Sequence, residues 1–405
     1  MAVGLSQPQN ILAVEGVRLA SDIAGIKNGQ NPDLVLITFD AGTVSAGVFT
    51  RNAFCAAPVT VASNHLSQNS PRALLINSGN ANAGTGQRGL QDARQCCALV
   101  ASAFGCEDIE VLPFSTGVIG VDLPMDRIEA SIARLVDRQA EDAWLQAATA
   151  IMTTDTIAKA CSRTLKINDE DVTITGIAKG SGMIRPDMAT MLAFIVTDAR
   201  LDHNWLQQCL HAAVDVSFNR ITVDGDTSTN DACILSATGA SGSQTLDGSC
   251  DDSREFQQAV NDVCIQLAQA IVRDGEGATK FVTVKVESAA TINEAKQVAY
   301  TVAHSPLVKT ALFASDPNWG RILAAVGRAG IEALDIDEVS IYLDDVCVVS
   351  RGGRDQAYEE KLGQRVMSQQ EITVRVILNR GDEQTTLWTT DLSYDYVRIN
   401  AEYRT

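Results

Sequence analysis

The stretch KGSGMIRPDMATMLAFIVTDA, residues 179–199, changes its composition abruptly at Thr190. Before Thr190, two glycines permit backbone angles that other residues avoid, and Pro186 restricts the residue ahead of it to an extended form. After Thr190, the apolar run from Met191 onward predicts a buried strand. The sequence therefore predicts a loop held in a fixed irregular path that leads directly into a strand of the core.

A threonine at the start of a buried strand, behind such a loop, suits the role of an N-terminal nucleophile. Its hydroxyl attacks, and its own freed α-amine, which is partly neutral near pH 7, acts as the base. Before cleavage, the same hydroxyl can attack the carbonyl of Ala189, and water then hydrolyses the resulting ester between Ala189 and Thr190. The alternative is a β-branched residue that merely enters a strand, and the residues alone leave that alternative open.

Periodic patterns elsewhere predict a mixed α/β chain. Apolar and polar residues alternate, as in half-buried strands, over residues 282–287 and 372–378. Apolar residues recur at the spacing of amphipathic helices over residues 90–104 and 256–271. Two further β-rich runs, joined by Asp344 and Asp345, predict a hairpin. No low-complexity linker divides the chain, and the polar residues 239–254 are a candidate surface loop.

Composition excludes several classes of protein. The chain of 405 residues has a net charge of -18, which disfavours nucleic acid as a partner because phosphate binding needs a cationic face. No run of about 18 apolar residues predicts a membrane span, and no signal peptide is recognisable. The ten cysteines and four histidines are scattered, so we expect reduced cysteines and no metal site. These features predict a cytoplasmic protein.

Several separated motifs resemble the glutamate N-acetyltransferase family, also called ornithine acetyltransferases. The segments that carry the resemblance are MATML (188–192), NSGNANAGTG (77–86), LPFSTGVIG (112–120), IMTTDT (151–156), RDGEGATKF (273–281) and NAEYRT (400–405). Two more runs, ITVDGDTSTND (221–231) and SDPNWGRI (315–322), also look like the family, although their acids and Arg321 could be structural. Family members often carry a small hydroxyl residue at the position that Arg404 occupies here. The resemblance covers essentially the whole chain.

The resemblance implies catalytic roles for three residues. Thr190 is the expected nucleophile, and Thr116 with Gly117 is the expected oxyanion hole, in which a hydroxyl and a glycine amide donate to the developing negative oxygen. Cleavage is expected between Ala189 and Thr190. Read without the family, an STG turn would be weak evidence.

The resemblance also implies substrate contacts. Lys179 is expected to bind a substrate carboxylate, and Glu276 the α-ammonium group, so that together they read a zwitterion. The remaining expected contacts are Thr153, with Thr156 as the competing choice, then Thr190 itself, Asn400 and Thr405. Without the family, DGEG at residues 274–277 would be interpreted as a helix-ending turn.

The implied reaction is acetyl transfer from N2-acetyl-L-ornithine to L-glutamate through acetyl-Thr190, in the cyclic pathway of arginine biosynthesis. Some family members also use acetyl-CoA as a donor, and no residue here decides that question. No cofactor is expected. The rivals are a self-processing aminopeptidase or amidase, and a non-catalytic amino-acid-binding protein that stays intact.

The implied fold is a self-processing α/β sandwich with two central sheet layers and a smaller C-terminal α/β region from about residue 285. Cleavage would give fragments 1–189 and 190–405. The resemblance implies that the two fragments stay together and pair again, as a heterotetramer of two α and two β chains.

Overall fold

The computed structural model describes residues 2–27, 29–185 and 191–402. Its contacts divide the chain into two compact units. The larger, here called the sandwich unit, comprises Gln7–Asn219 and Asp226–Ile271, and the smaller, here called the C-terminal unit, comprises Met1–Ser6, Arg220–Gly225 and Val272–Thr405. Among the described residues, no helix is long and apolar enough to cross a membrane.

Two sheets form the centre of the sandwich unit. The nine strands are β1 (Val17–Asp22), β2 (Leu34–Phe39), β3 (Val44–Phe49), β4 (Ala73–Asn80), β5 (Val111–Val118), β6 (Lys159–Ile167), β7 (Glu170–Lys179), β8 (Leu192–Thr197) and β9 (Ala232–Ala237). One sheet has the order β1-β2-β4-β5 and the other the order β3-β9-β8-β7-β6. Only the pairs β4·β5 and β8·β9 are parallel within these two sheets.

Helices complete the sandwich unit, and the one that carries Trp144 packs into the core between the two sheets. They are α1 (Ala57–Leu66), α2 (Gly86–Phe104), α3 (Met125–Asp137), α4 (Trp144–Ala150), α5 (His203–Val216) and α6 (Asp251–Arg273). Helices α1, α2 and α3 share one buried cluster with the four-stranded sheet. On the five-stranded sheet, a Cβ at Gly176 would lie 2.9 Å from Leu267 of α6, so that helix packs closely on β7. The layers confirm the predicted α/β sandwich with two central sheets.

The core between the two sheets explains why residue 191 onward is so apolar. Phe114 of β5 meets Phe194 of β8 edge-on, with ring centroids 5.1 Å apart. All six residues of β8 are buried, because one face packs against the opposite sheet and the other lies under helices. The predicted buried strand after Thr190 is therefore confirmed.

The C-terminal unit is a mixed sheet covered by helices. Its strands are β10 (Phe281–Ala289), β11 (Ser340–Leu343), β12 (Val346–Ser350), β13 (Gly353–Arg354), β14 (Glu371–Ile377) and β15 (Glu383–Thr390), in the order β13-β12-β11-β14-β10-β15. Its helices are α7 (Ile292–Ala303), α8 (Pro306–Phe313), α9 (Trp319–Gly327), α10 (Glu360–Met367) and α11 (Tyr394–Ala401). One buried cluster joins this sheet to α7, α8, α9 and α10, whereas α11 contributes no buried residue.

Most local predictions agree with these elements. The alternating windows are β10 and β14, the spaced windows lie in α2 and α6, and β11 and β12 form the hairpin, with Asp344 at a φ of 47°. The prediction of a loop over residues 239–254 is wrong for the last four residues, because α6 begins at Asp251. All ten cysteines are unpaired, and six are buried while Cys55 is exposed.

Candidate active site

The sandwich unit brings two predicted site residues into direct contact. Thr116 lies on β5 and Lys179 ends β7, so each comes from a different central sheet. The ammonium of Lys179 donates a hydrogen bond of 3.1 Å to the Thr116 hydroxyl oxygen. Because an ammonium can only donate, the Thr116 oxygen is the acceptor in this bond, and the Thr116 O–H remains available to donate in another direction. The contact between the sheets therefore orients a hydroxyl donor.

Gly117 occupies a position that only glycine fits. Its φ is +134°, and a Cβ there would lie 2.2 Å from the carbonyl carbon of Gly79 and 2.5 Å from the nitrogen of Asn80. The pairing of β4 with β5 shifts at this point, since Asn80 is opposite both Thr116 and Val118. A side chain would force the two strands apart, so the predicted oxyanion pair lies near an irregular strand end where only glycine fits.

A buried ion pair fixes the turn that carries the predicted threonine contact. Asp155 follows α4, and its carboxylate accepts a hydrogen bond of 2.6 Å from Lys159, with both side chains fully buried. It also accepts from the backbone nitrogens of Gly180 at 2.8 Å and Thr153 at 3.0 Å. Burial would raise the pKa of Asp155, but the charges of Lys159 and Lys179 and the hydrogen bonds hold it well below its ordinary range.

These bonds tie the turn to the end of β7. Thr153 is half-buried and Thr156 is exposed, and both lie on this turn. The choice of Thr153 over Thr156 as the substrate contact stays a prediction. The neighbouring Thr154 hydroxyl lies 2.7 Å from that of Ser181, two residues beyond Lys179. The turn and the first residues after β7 thus form one connected structure.

A third lysine lies close to this group. Lys27 donates a hydrogen bond of 3.1 Å to the carbonyl of Ala150, at the end of α4. Burial lowers the pKa of Lys27 to about 8, against the opposing charges of Asp33 and Asp155, and the charge of Lys179 lowers it further. Lys27 and Lys179 thus lie close enough for their charges to interact, beside the carboxylates of Asp33 and Asp155.

A buried amide connects the oxyanion strand to β9. Asn230 donates hydrogen bonds of 2.9 Å to the carbonyl of Ser115 and 2.6 Å to the carbonyl of Ala81. Ser115 immediately precedes Thr116, so Asn230 fixes the backbone that presents the predicted oxyanion pair. This contact lies within the motif 221–231, whose function the sequence left open.

The C-terminal unit brings together two other predicted residues, Glu276 and Asn400. The Asn400 side-chain amide donates a hydrogen bond of 2.8 Å to the carboxylate of Glu276, across 124 positions of the chain. Glu276 is buried, with 9% of its surface exposed, and Asn400 is exposed on α11. At Gly277, a Cβ would lie 2.5 Å from the nitrogen of Tyr396, so the DGEG turn packs directly on α11.

Three predicted site residues, Ala189, Thr190 and Thr405, lie outside the described residues. The chain next to Thr190 is described from Met191, whose carbonyl accepts a hydrogen bond of 3.0 Å from the nitrogen of Ala232. Among the described residues, no group of three or more His, Cys, Asp or Glu side chains has an arrangement that could hold a metal ion.

Comparison with known proteins adds to this geometry. The family model of the ArgJ family matches residues 18–405. This chain belongs to the ArgJ family. A relative from Methylococcus capsulatus, an arginine biosynthesis bifunctional protein ArgJ, is 56% identical over 97% of this chain and 96% of its own. The ArgJ of Pseudomonas fluorescens is 52% identical over the whole of both chains.

A solved structure agrees with ArgJ-family membership. The crystal structure of the arginine biosynthesis bifunctional protein ArgJ from Bacillus halodurans is 40% identical, with a TM-score of 0.50, and the match covers 52% of this chain and 99% of that chain. The resemblance drawn from the separated sequence motifs is thus confirmed at the level of the family.

Sequence reasoning missed several residues of this ArgJ-family site, above all Asp155, Lys159 and Lys27. Asp155 is inside the motif IMTTDT, and the lysine four positions later was a usable signal for an ion pair. Lys27 gave no signal, because its contact with Ala150 joins positions 123 residues apart.

Proposed function

We propose that this ArgJ-family chain transfers an acetyl group from N2-acetyl-L-ornithine to L-glutamate, releasing L-ornithine and N-acetyl-L-glutamate for arginine biosynthesis. The observation that carries the proposal is the match of the family model to residues 18–405, together with relatives named arginine biosynthesis bifunctional proteins. The word bifunctional in those names supports a second activity, for which acetyl-CoA would serve as an alternative acetyl donor.

The proposed nucleophile is Thr190, after cleavage of the bond between Ala189 and Thr190. Its hydroxyl bonds to the acetyl carbon of acetylornithine while the α-amine takes the hydroxyl proton, and that proton then passes to the departing ornithine nitrogen. Glutamate attacks the acetyl ester in the reverse sense. The support is the sequence match at residues 188–192 and the wholly buried β8 that follows.

Thr116 and Gly117 are the proposed donors to the oxyanion. The support is geometric, because Lys179 occupies the acceptor side of the Thr116 hydroxyl and the backbone at Gly117 admits no side chain. An ammonium in contact with a hydroxyl also makes its O–H a stronger donor. Donors fixed in this way need no reorganisation as negative charge develops.

Four further groups are the proposed substrate contacts. Lys179 binds a carboxylate, Thr153 offers a hydroxyl on the turn fixed by Asp155, and Glu276 binds an ammonium group with Asn400 holding its carboxylate. The terminal Thr405 is retained as a contact on the sequence match alone. We place the enzyme in the cytoplasm, without nucleic acid or membrane partners, because its reaction uses free amino acids.

The assembly and domain division are part of the same proposal. Fragments 1–189 and 190–405 remain associated, because β7 and β8, on either side of the cleavage point, pair over six residues. Two copies of each fragment form the heterotetramer.

The test combines denaturing mass spectrometry with an acetyl-transfer assay. Wild type is expected as two fragments, Thr190→Ala as one intact inactive chain, and Thr190→Ser as partly cleaved protein. Thr197→Val, at the other end of β8, is the matched control and is expected to cleave and transfer. Intact wild type, or normal turnover by Thr190→Ala, would remove Thr190 from the mechanism.

Acceptor dependence separates the transferase from a hydrolase. With acetylornithine as donor, ornithine release is expected to rise sharply when glutamate is added. Release that is rapid and independent of glutamate would identify an aminopeptidase or amidase instead.

A further inference from the structure

Asp231 is a buried carboxyl that the proposed mechanism does not use. It directly precedes β9, only 3% of its surface is exposed, and its Oδ2 atom has no hydrogen-bond partner among the described residues. Burial raises the pKa of Asp231 well above its ordinary value, although hydrogen bonds from Ser228 and the charge of Lys179 oppose the shift. A buried polar oxygen without a partner destabilises the folded chain.

The pairing of β8 with β9 puts Asp231 at the start of both strands. The two strands are parallel, Leu192 is opposite Ala232, and the Ala232 nitrogen donates to the Met191 carbonyl at 3.0 Å. Asp231 is bonded to Ala232, and Thr190 is bonded to Met191. Asp231 and Met191 therefore lie next to each other where the two strands begin, and Met191 is the residue that follows Thr190 in the sequence.

Cleavage would create a group of the kind that Asp231 lacks. Hydrolysis between Ala189 and Thr190 produces a new amine, and an amine offers hydrogens to a carboxylate. We propose that Asp231 is the positioning residue that binds the α-amino group of Thr190 once the chain has been cleaved. The proposal rests on Thr190 being the proposed nucleophile.

The proton balance follows from the two groups. When the amine forms, the hydrogen of the Asp231 carboxylic acid passes to it and leaves an ion pair of carboxylate and ammonium. Before each turnover the ammonium loses one proton to solvent. As the Thr190 oxygen bonds to the acetyl carbon, its proton moves to the amine, Asp231 stabilises the ammonium, and the proton then leaves on the ornithine nitrogen.

This arrangement predicts a shift in the pH profile. The charged group that acts on Asp231 is Lys179, at the end of β7 two strands away in the same sheet, and Lys179 itself interacts with Asp155 and Lys27. A carboxylate raises the pKa of an adjacent amine, so Asp231→Asn should move the acidic limb of kcat/KM to lower pH by about one unit. Loss of orientation should also lower the plateau of kcat/KM about tenfold or more.

Asp198→Asn is the matched control for the pH profile. Asp198 is also buried and also has a raised pKa from burial, but it lies just after the far end of β8 and accepts a hydrogen bond of 2.8 Å from Thr173. Its replacement should leave the acidic limb in place. An unmoved limb in Asp231→Asn would overturn the proposal. A folded but uncleaved Asp231→Asn protein would also overturn it, because the carboxyl would then act in cleavage itself.

A thermal-unfolding cycle tests the proposal without relying on activity. In uncleaved Thr190→Ala protein, the acid lacks a partner, so at high pH Asp231→Asn should raise Tm by about 2 °C or more. In cleaved protein the same substitution removes an ion pair and should lower Tm. A change of the same sign in both backgrounds would contradict the assignment. Intact wild type would instead show that the proposed function has failed.

Discussion

Asp155 and Asp231 lie in the same unit, and both are buried, but their surroundings differ. Asp155 accepts hydrogen bonds from Lys159 and from the Gly180 and Thr153 backbone, so its negative charge is satisfied within the intact chain. Asp231 has one oxygen without a partner among the described residues. Burial acts on both carboxyls in the same direction, and the position of a cation decides which one ionises.

The comparison separates a structural carboxyl from a functional one. A buried acid whose cation is supplied by its own chain closes a turn, as Asp155 does between α4 and β6. A buried acid that lacks a donor carries a cost in stability, and such costs concentrate where a protein binds or reacts. Lys179 links the two cases, since its charge acts on both carboxyls.

Breaking the buried ion pair between Asp155 and Lys159 should have a large effect on stability. Lys159→Met leaves the Asp155 carboxylate buried without its closest cation, and should lower the free energy of unfolding by about 3–5 kcal/mol in urea titrations. Lys166→Met is the matched control, because Lys166 is an exposed lysine of the same strand, paired with Asp171 at the surface. Equal losses in the two variants would mean that the buried pair contributes no more than a surface pair.

The second prediction concerns the lysine that the two carboxyls share. Thr116→Ala removes the hydroxyl that Lys179 contacts, and with it one proposed oxyanion donor. Transfer should slow about a hundredfold, or about 2.7 kcal/mol in the activation free energy, while the unfolding free energy changes little. Thr164→Ala, on an exposed position of β6, should leave the rate unchanged. An unchanged rate in Thr116→Ala would assign the oxyanion hole to other donors.

The strands and helices of the sandwich unit are easier to predict from the sequence than the contacts within the site. The buried strand β8 and the helices α2 and α6 follow from periodicity, which records one face of an element. The contact of Lys179 with Thr116 joins two sheets, and only the resemblance to a family suggested that both residues belong to one site.

The two carboxyls show why the contacts within the site could not be predicted from the sequence. A sequence gives the identity of an acid but neither its burial nor the partner that tertiary packing supplies. The motif IMTTDT draws attention to its threonines and gives no role to Asp155. The motif that contains Asp231 gives that residue no role either, because its proximity to Met191 follows only from the pairing of β8 with β9.

The two carboxyls should also differ in how the stability that each contributes depends on pH. In uncleaved Thr190→Ala protein, Asp155 has a lowered pKa, so its contribution to stability is present above the unfolded pKa and is lost as pH falls below about 4. Asp231 has a raised pKa, so its contribution is present at acid pH and is lost as pH rises through the folded value.

Replacing each carboxyl by asparagine should therefore change the pH dependence of the free energy of unfolding in opposite directions. Asp155→Asn should be most destabilising near neutral pH and nearly neutral in acid, whereas Asp231→Asn should become more favourable, relative to the parent, as the pH is raised. Urea unfolding across the pH range measures both differences, of about 1–3 kcal/mol each. Slopes of the same sign would mean that a single factor, burial, governs both acids, and that the placement of Lys159 and Lys179 does not distinguish them.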